Sequence, residues 1–142
     1  MDYIHNIQHK YYVWFDLFSF VSLLLILLRS LFRPRTYTIS VNSRNPVSRR
    51  TNEQVMLSPE NAMVELKQYE SRIRKEGVVQ TFPNYAKERS DCSSFGNNGD
   101  LGHFGRGMMQ EPFENVAFSL QIDEMSGTVS TDSGYHLIYR IA

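Results

Sequence analysis

The sequence predicts an α+β domain, and three patterns carry that prediction. Tyr37, Ile39 and Val41 alternate with Thr36, Thr38 and Ser40, the period-two spacing of a half-buried strand. Ala62, Leu66, Tyr69 and Ile73 recur at steps of four, three and four, which places them on one face of a helix. Residues 135–141 alternate again after Thr131-Asp132-Ser133-Gly134, a tetrapeptide with the chemistry of a hairpin turn. Strands are therefore expected at 36–41, near 101–104, at 128–130 and at 135–141, with helices between them.

The chain opens on a different kind of segment. Tyr11 to Leu28 is a run of eighteen mainly aromatic and aliphatic residues, interrupted by Asp16, Ser19 and Ser22. A bilayer core takes about 20 such residues in a helix, so this hydrophobic N-terminal helix sits at the lower limit for a span. Arg29, Arg33 and Arg35 follow it against Lys10 in front, which orients the rest of the chain toward the cytosol if the segment is inserted. A cleaved signal peptide fits poorly, because the run ends in Leu-Leu-Arg-Ser-Leu-Phe-Arg rather than in small residues. Two readings of residues 1–35 stay open, a single-span membrane anchor and a mis-joined or alternative exon. The first places the domain at a membrane facing the cytosol; the second leaves it in the cytoplasm or nucleus.

Arg35 to Val41 is the first expected strand. Asn42 to Leu57 is a polar loop that carries Arg44, Arg49 and Arg50, with Pro46 holding an extended turn. Ser58 to Gly77 is the clearest helix, capped by Ser58, opened by Pro59 and stopped by Gly77, with Arg72, Arg74 and Lys75 at its carbonyl end. A shorter helix is expected over Phe82 to Arg89. Ser93 to Gly99 is a tight glycine and asparagine loop, and no phosphate-binding GxxxxGK[ST] pattern exists. Pro112 to Leu120 forms a third helix, with Phe113, Val116, Ala117 and Leu120 at helical spacing.

Composition narrows the function classes. The chain has 142 residues and zero formal charge, enough for one domain with an appendage, and a monomer is expected. Residues 1–57 hold seven Lys/Arg against three Asp/Glu, and residues 58–142 hold eight against twelve. No basic stripe interleaves with aromatics, so nucleic acid is not an expected partner. The single cysteine, Cys92, rules out an internal disulfide, and His5, His9, His103 and His136 are too scattered to suggest a metal.

The residues most suggestive of chemistry lie between Asp91 and His136. Leu101, Met109 and Phe113 are large, uncharged and close in sequence, with Cys92 upstream and Ser133 and His136 downstream. The ordered blocks DCSS, GDLGHFGRGMM, PFENVAFSL, DEMSG and TDSGYH resemble the parvulin family of peptidyl-prolyl cis/trans isomerases, most closely the Pin-type branch directed at phosphoSer/Thr-Pro bonds. The resemblance runs from about Asn42 to Ala142 and includes no phosphopeptide-binding WW module. It implies a four-stranded antiparallel sheet flanked by helices over 36–142, with the first and last strands at its centre. The family's first strand, a His-Leu-Leu-Val-Lys-His run, is not visible, so a divergent first strand is expected.

The resemblance also implies roles. Leu101, Met109, Gln110 and Phe113 would form the proline pocket, and Cys92, Ser133 and His136 the catalytic polar groups. Ser43-Arg44-Asn45-Pro46 resembles the phosphate-binding loop, in which guanidinium forks suit a phosphate dianion; this assigns Arg44, with Arg49 and Arg50 as further candidates. Extended backward without a gap, that match puts Ile39 at the family's loop-leading Lys and Arg35 at its first-strand His, so both functional side chains would be lost. Rotation about an Xaa-Pro bond needs no cofactor and no metal. The expected partners are proline-containing proteins, with a weakened preference for phosphoSer/Thr-Pro. The alternative reading is a catalytically impaired, membrane-anchored module that binds proline-containing phosphopeptides.

Overall fold

The computed structural model describes residues 33–43 and 47–142. The hydrophobic helix expected over Tyr11 to Leu28 therefore falls outside the described residues, which include only 33–35 of the segment 1–35, and Arg44 falls outside them as well. Among the described residues no helix is long and apolar enough to cross a membrane.

Pro34–Ala142 forms one folded unit. Its strands are β1 (Arg35–Asn42), β2 (Asp100–His103), β3 (Val129–Thr131) and β4 (Gly134–Arg140), and its helices are α1 (Pro59–Glu76), α2 (Val78–Arg89) and α3 (Glu111–Ser119). The four strands form an antiparallel sheet in the order β2-β1-β4-β3. The divergent first strand thus takes its central place, paired with β4 from Thr36 opposite Arg140 to Asn42 opposite Gly134. Ladder hydrogen bonds come from the backbone, so a different sequence fills the position provided its alternation is right.

That alternation divides the core. Ile39, Val41, Tyr135, Leu137 and Tyr139 pack against Ala62, Leu66 and Ile73 of α1 and Phe82 and Ala86 of α2. Successive strand residues point to opposite faces, so Ile138 joins the other cluster, with Phe104, Leu120 and Phe113 and Ala117 of α3. The same parity turns Thr38, Ser40 and His136 toward the α3 face. Ile39, Leu66, Phe82, Leu137 and Ile138 are fully buried, each worth about 1.5–3 kcal/mol relative to exposure.

Helix α1 follows its sequence signals: Ser58 Oγ accepts from Asn61 N–H at 3.2 Å, and Gly77 stops the helix at φ +105°. Helix α2 starts at Val78 rather than at Phe82. Gly77 lets the chain turn directly from one helix into the next, and α2 continues through Pro83 because Phe82 and Ala86 are buried in the sheet-facing core, so packing overrides the local break. Residues 93–97 form a 3-10 turn rather than an irregular loop, closed by Asn98 and Gly99 at positive φ. At Gly99 a Cβ would lie 2.7 Å from Thr38 O, which only glycine avoids at this close approach to β1.

Candidate active site

A cavity of about 250 Å³ opens on the face that carries α3. Leu101, Met109 and Phe113 line one part of it, and Cys92, Gln110, Ser133 and His136 line another. The seven residues singled out between Asp91 and His136 therefore converge on one space, although they come from β2, α3, the loops beside them and the β3–β4 hairpin.

Each part of the wall is placed by its own local device. Leu101 stands on β2, where Asp100 Oδ1 accepts from Gly102 N–H at 2.8 Å and fixes the following turn. Met109 ends a loop pinned by Glu114, whose Oε2 accepts from Gly107 N–H at 2.6 Å, while the Arg106 guanidinium lies 4.0 Å above the Phe118 ring. Phe113 is buried in the first turn of α3, and together with Leu101 and Met109 it forms the open edge of the second core cluster. Gln110 precedes α3 without capping it, because its amide is engaged elsewhere: Nε2 donates to Ser133 Oγ at 2.7 Å and Oε1 accepts from Asp132 N–H at 3.1 Å.

His136 is held on both sides by hydroxyls. Ser40 Oγ stands 2.8 Å from Nδ1 and Thr131 Oγ1 stands 2.6 Å from Nε2. Its ring meets Phe113 edge-on, with centroids 5.5 Å apart and planes at 87°. Burial disfavours the imidazolium and pulls the pKa down to about 4, so the ring is neutral near pH 7. Cys92 is a partly exposed free thiol whose side chain makes no hydrogen bond among the described residues.

Beside Cys92, Asp91 joins several elements. It is almost fully buried, and its Oδ2 accepts from Asn42 N–H at 2.9 Å and from Arg89 Nη1 at 3.0 Å. Its backbone N–H donates to Ser40 O at 2.8 Å, and its carbonyl accepts from Arg49 N–H at 3.0 Å. Glu65 of α1 in turn pairs with Arg89. Arg49 is thereby brought to the cavity, where its exposed side chain lines the wall and has no ion-pair partner among the described residues. Arg50 lies on the same turn, outside the cavity lining, with a buried Nε that has no hydrogen-bond partner among the described residues.

Residues 49–142 match the rotamase family, described as a PPIC-type PPIase domain. The chain is 48% identical over 101 residues to the peptidyl-prolyl cis-trans isomerase NIMA-interacting 1 of Theileria annulata, a match covering 70% of this chain and 71% of that protein. It belongs to the parvulin family. Among solved structures, the peptidyl-prolyl isomerase ESS1 from Candida albicans superposes with a TM-score of 0.72 at 32% identity, covering 78% of this chain and 63% of that one. TbPIN1 superposes at 0.69 with 38% identity, covering 78% and 97%. This parvulin is accordingly a Pin-type peptidyl-prolyl cis/trans isomerase, an enzyme class that acts on proline-containing protein substrates.

The parvulin site corrects one expectation about the first strand. Arg35 does not occupy a site position: it lies at the far end of β1, opposite His103, with its guanidinium on Asp100. Ile39 faces the opposite core. The β1 residue beside His136 is Ser40, so Ser40 rather than Arg35 stands where a first-strand polar group meets the site. Neither β1 position picked out by the ungapped extension from Ser43-Arg44-Asn45-Pro46 lies at the site.

Ser40, Asn42, Asp91 and Thr131 line the cavity without having been singled out from the sequence. Thr131 and Asp91 sit inside the quoted TDSGYH and DCSS blocks, which was a usable signal. Ser40 and Asn42 had only the parity of their strand.

Proposed function

We propose that this parvulin rotates Xaa-Pro bonds by noncovalent stabilisation of the twisted amide, and that it favours substrates with a phosphate or acidic group before the proline. The convergence of Leu101, Met109 and Phe113 with Gln110, Ser133 and Cys92 around one cavity carries the reading. Amide resonance sets a barrier of about 18–20 kcal/mol, while cis and trans Xaa-Pro differ by only about 0.5–1 kcal/mol. The enzyme's task is therefore to bind the twisted form better than either planar form. Leu101, Met109 and Phe113 seat the ring, and the polarisable thioether of Met109 accommodates its motion. Cys92, Ser133 and Gln110 face the rotating amide, with His136 behind them.

A covalent thiol step lacks a free imidazole base among the described residues. Ser40 and Thr131 engage both ring nitrogens of His136, and no other histidine among the described residues lines the cavity. Arg49 supports the acidic-substrate preference, because a guanidinium on the cavity wall with no ion-pair partner among the described residues can form two parallel bonds to phosphate. Arg44 and Arg50 are further candidates for the same group.

Isomerisation of paired Ser-Pro and phosphoSer-Pro peptides by the 142-residue chain tests both parts. Turnover with a clear preference for the phosphorylated peptide is expected. No turnover of either peptide would refute the isomerase mechanism, and equal turnover would remove the phosphate preference alone.

A further inference from the structure

We infer that Ser40 is a positioning residue for the isomerase, its hydroxyl donating to His136 Nδ1 and fixing the ring as the tautomer protonated at Nε2. Ser40 Oγ is 3% exposed and has His136 Nδ1, at 2.8 Å, as its partner. If Nδ1 carried the proton, the Ser40 O–H would have no other acceptor among the described residues, an arrangement that buried hydroxyls avoid. The proton therefore sits on Nε2 and is donated to Thr131 Oγ1 at 2.6 Å. Thr131 Oγ1 is a hydroxyl oxygen able to accept, as it does from Ser133 N–H at 3.3 Å.

This bond chain reaches from the central strand to the working edge of the site. Ser40 sets the imidazole; the imidazole sets Thr131; Thr131 holds the backbone of Ser133, whose Oγ accepts from Gln110. The same ring supports Phe113 from the side. Ser40 is itself fixed, since its N–H donates to Ser90 Oγ at 3.1 Å and its carbonyl accepts from Asp91 N–H. Groups that meet a twisted amide must be placed more exactly than groups that only seat a ring, so loss of Ser40 acts on kcat more than on KM.

The experiment is nitrogen NMR of the His136 ring in the unliganded chain, with kinetics of Ser40→Ala and Ser40→Cys. The inference rests on the isomerase reading only for its kinetic arm, because the tautomer is read without substrate. The wild type is expected to show one tautomer, with the proton on Nε2, and Ser40→Ala to show exchange between two. Ser40→Ala is expected to lower kcat about three- to ten-fold with KM within about two-fold, and Ser40→Cys, which keeps a weak donor, to recover part of the loss. A wild-type proton on Nδ1, or a Ser40→Ala variant with unchanged ring spectrum, would overturn the assignment. A folded Ser40→Ala variant with altered tautomer and unchanged kcat would overturn the positioning role alone.

Discussion

Gln110 and Ser133 are joined by a 2.7 Å hydrogen bond from the Gln110 amide to the Ser133 hydroxyl, across 23 residues of sequence. The bond ties the start of α3 to the β3–β4 hairpin, and the amide oxygen secures the same hairpin through Asp132 N–H. The proposed proline seat and its polar rim are thereby held in one geometry. Gln110→Glu keeps the acceptor and loses the donor, whereas Gln110→Ala loses both. Isomerisation kinetics are expected to show kcat/KM reduced about three- to ten-fold in Gln110→Glu and more than that in Gln110→Ala. Equal, unimpaired kinetics in both variants would show that the clamp does not matter.

Arg49 gives a prediction about substrate choice. Its backbone is fixed by Asp91 O, and its side chain lies free on the cavity wall among the described residues. Arg49→Ala is expected to lower kcat/KM on a phosphoSer-Pro peptide by about ten-fold or more, and on the plain Ser-Pro peptide by less than about two-fold. The ratio of the two values is the measurement. A uniform decrease on both peptides would assign Arg49 a structural role instead.

His136 makes stability depend on pH. Its folded pKa lies near 4, below the ordinary value of 6.5, so between those values the unfolded chain binds the proton more readily. Stability from this group is fully present above about pH 6.5 and is lost as pH falls toward 4, by up to about 3 kcal/mol. Urea unfolding at pH 7 and pH 4.5 measures the drop. Carboxylates also titrate in this window, so the drop is compared with that of His136→Gln, which is expected to be smaller. An equal drop in both proteins would show that burial of His136 is not its source.

Gly134 is the backbone position least open to change. It begins β4 at φ +145°, and a Cβ there would lie 2.4 Å from Val41 O and 3.0 Å from Asn42 Cα. These are backbone atoms of the central strand and cannot step aside. Gly134→Ala is expected to destabilise the domain by about 3 kcal/mol or more, read from the urea midpoint. A loss below about 1 kcal/mol would mean that the hairpin shifts to make room.

The sequence alone determined whatever depends on neighbours a few residues apart. Ser58, Pro59 and Gly77 mark out α1 because caps act within one turn. The alternation in residues 35–42 and 134–140 makes strands with one face for each core cluster. The ordered blocks from Asp91 to His136 named Leu101, Met109 and Phe113, which lie close in the chain and line one cavity. Only the tertiary structure decided that Ser40 meets His136, 96 residues away, that Arg35 stands outside the site, and that Asp91 carries Arg49 to the cavity. Strand register and loop placement follow from long-range backbone pairing, to which each local segment contributes only its parity; shifting β1 by one residue would turn Ser40 into the opposite core while leaving the same alternating pattern.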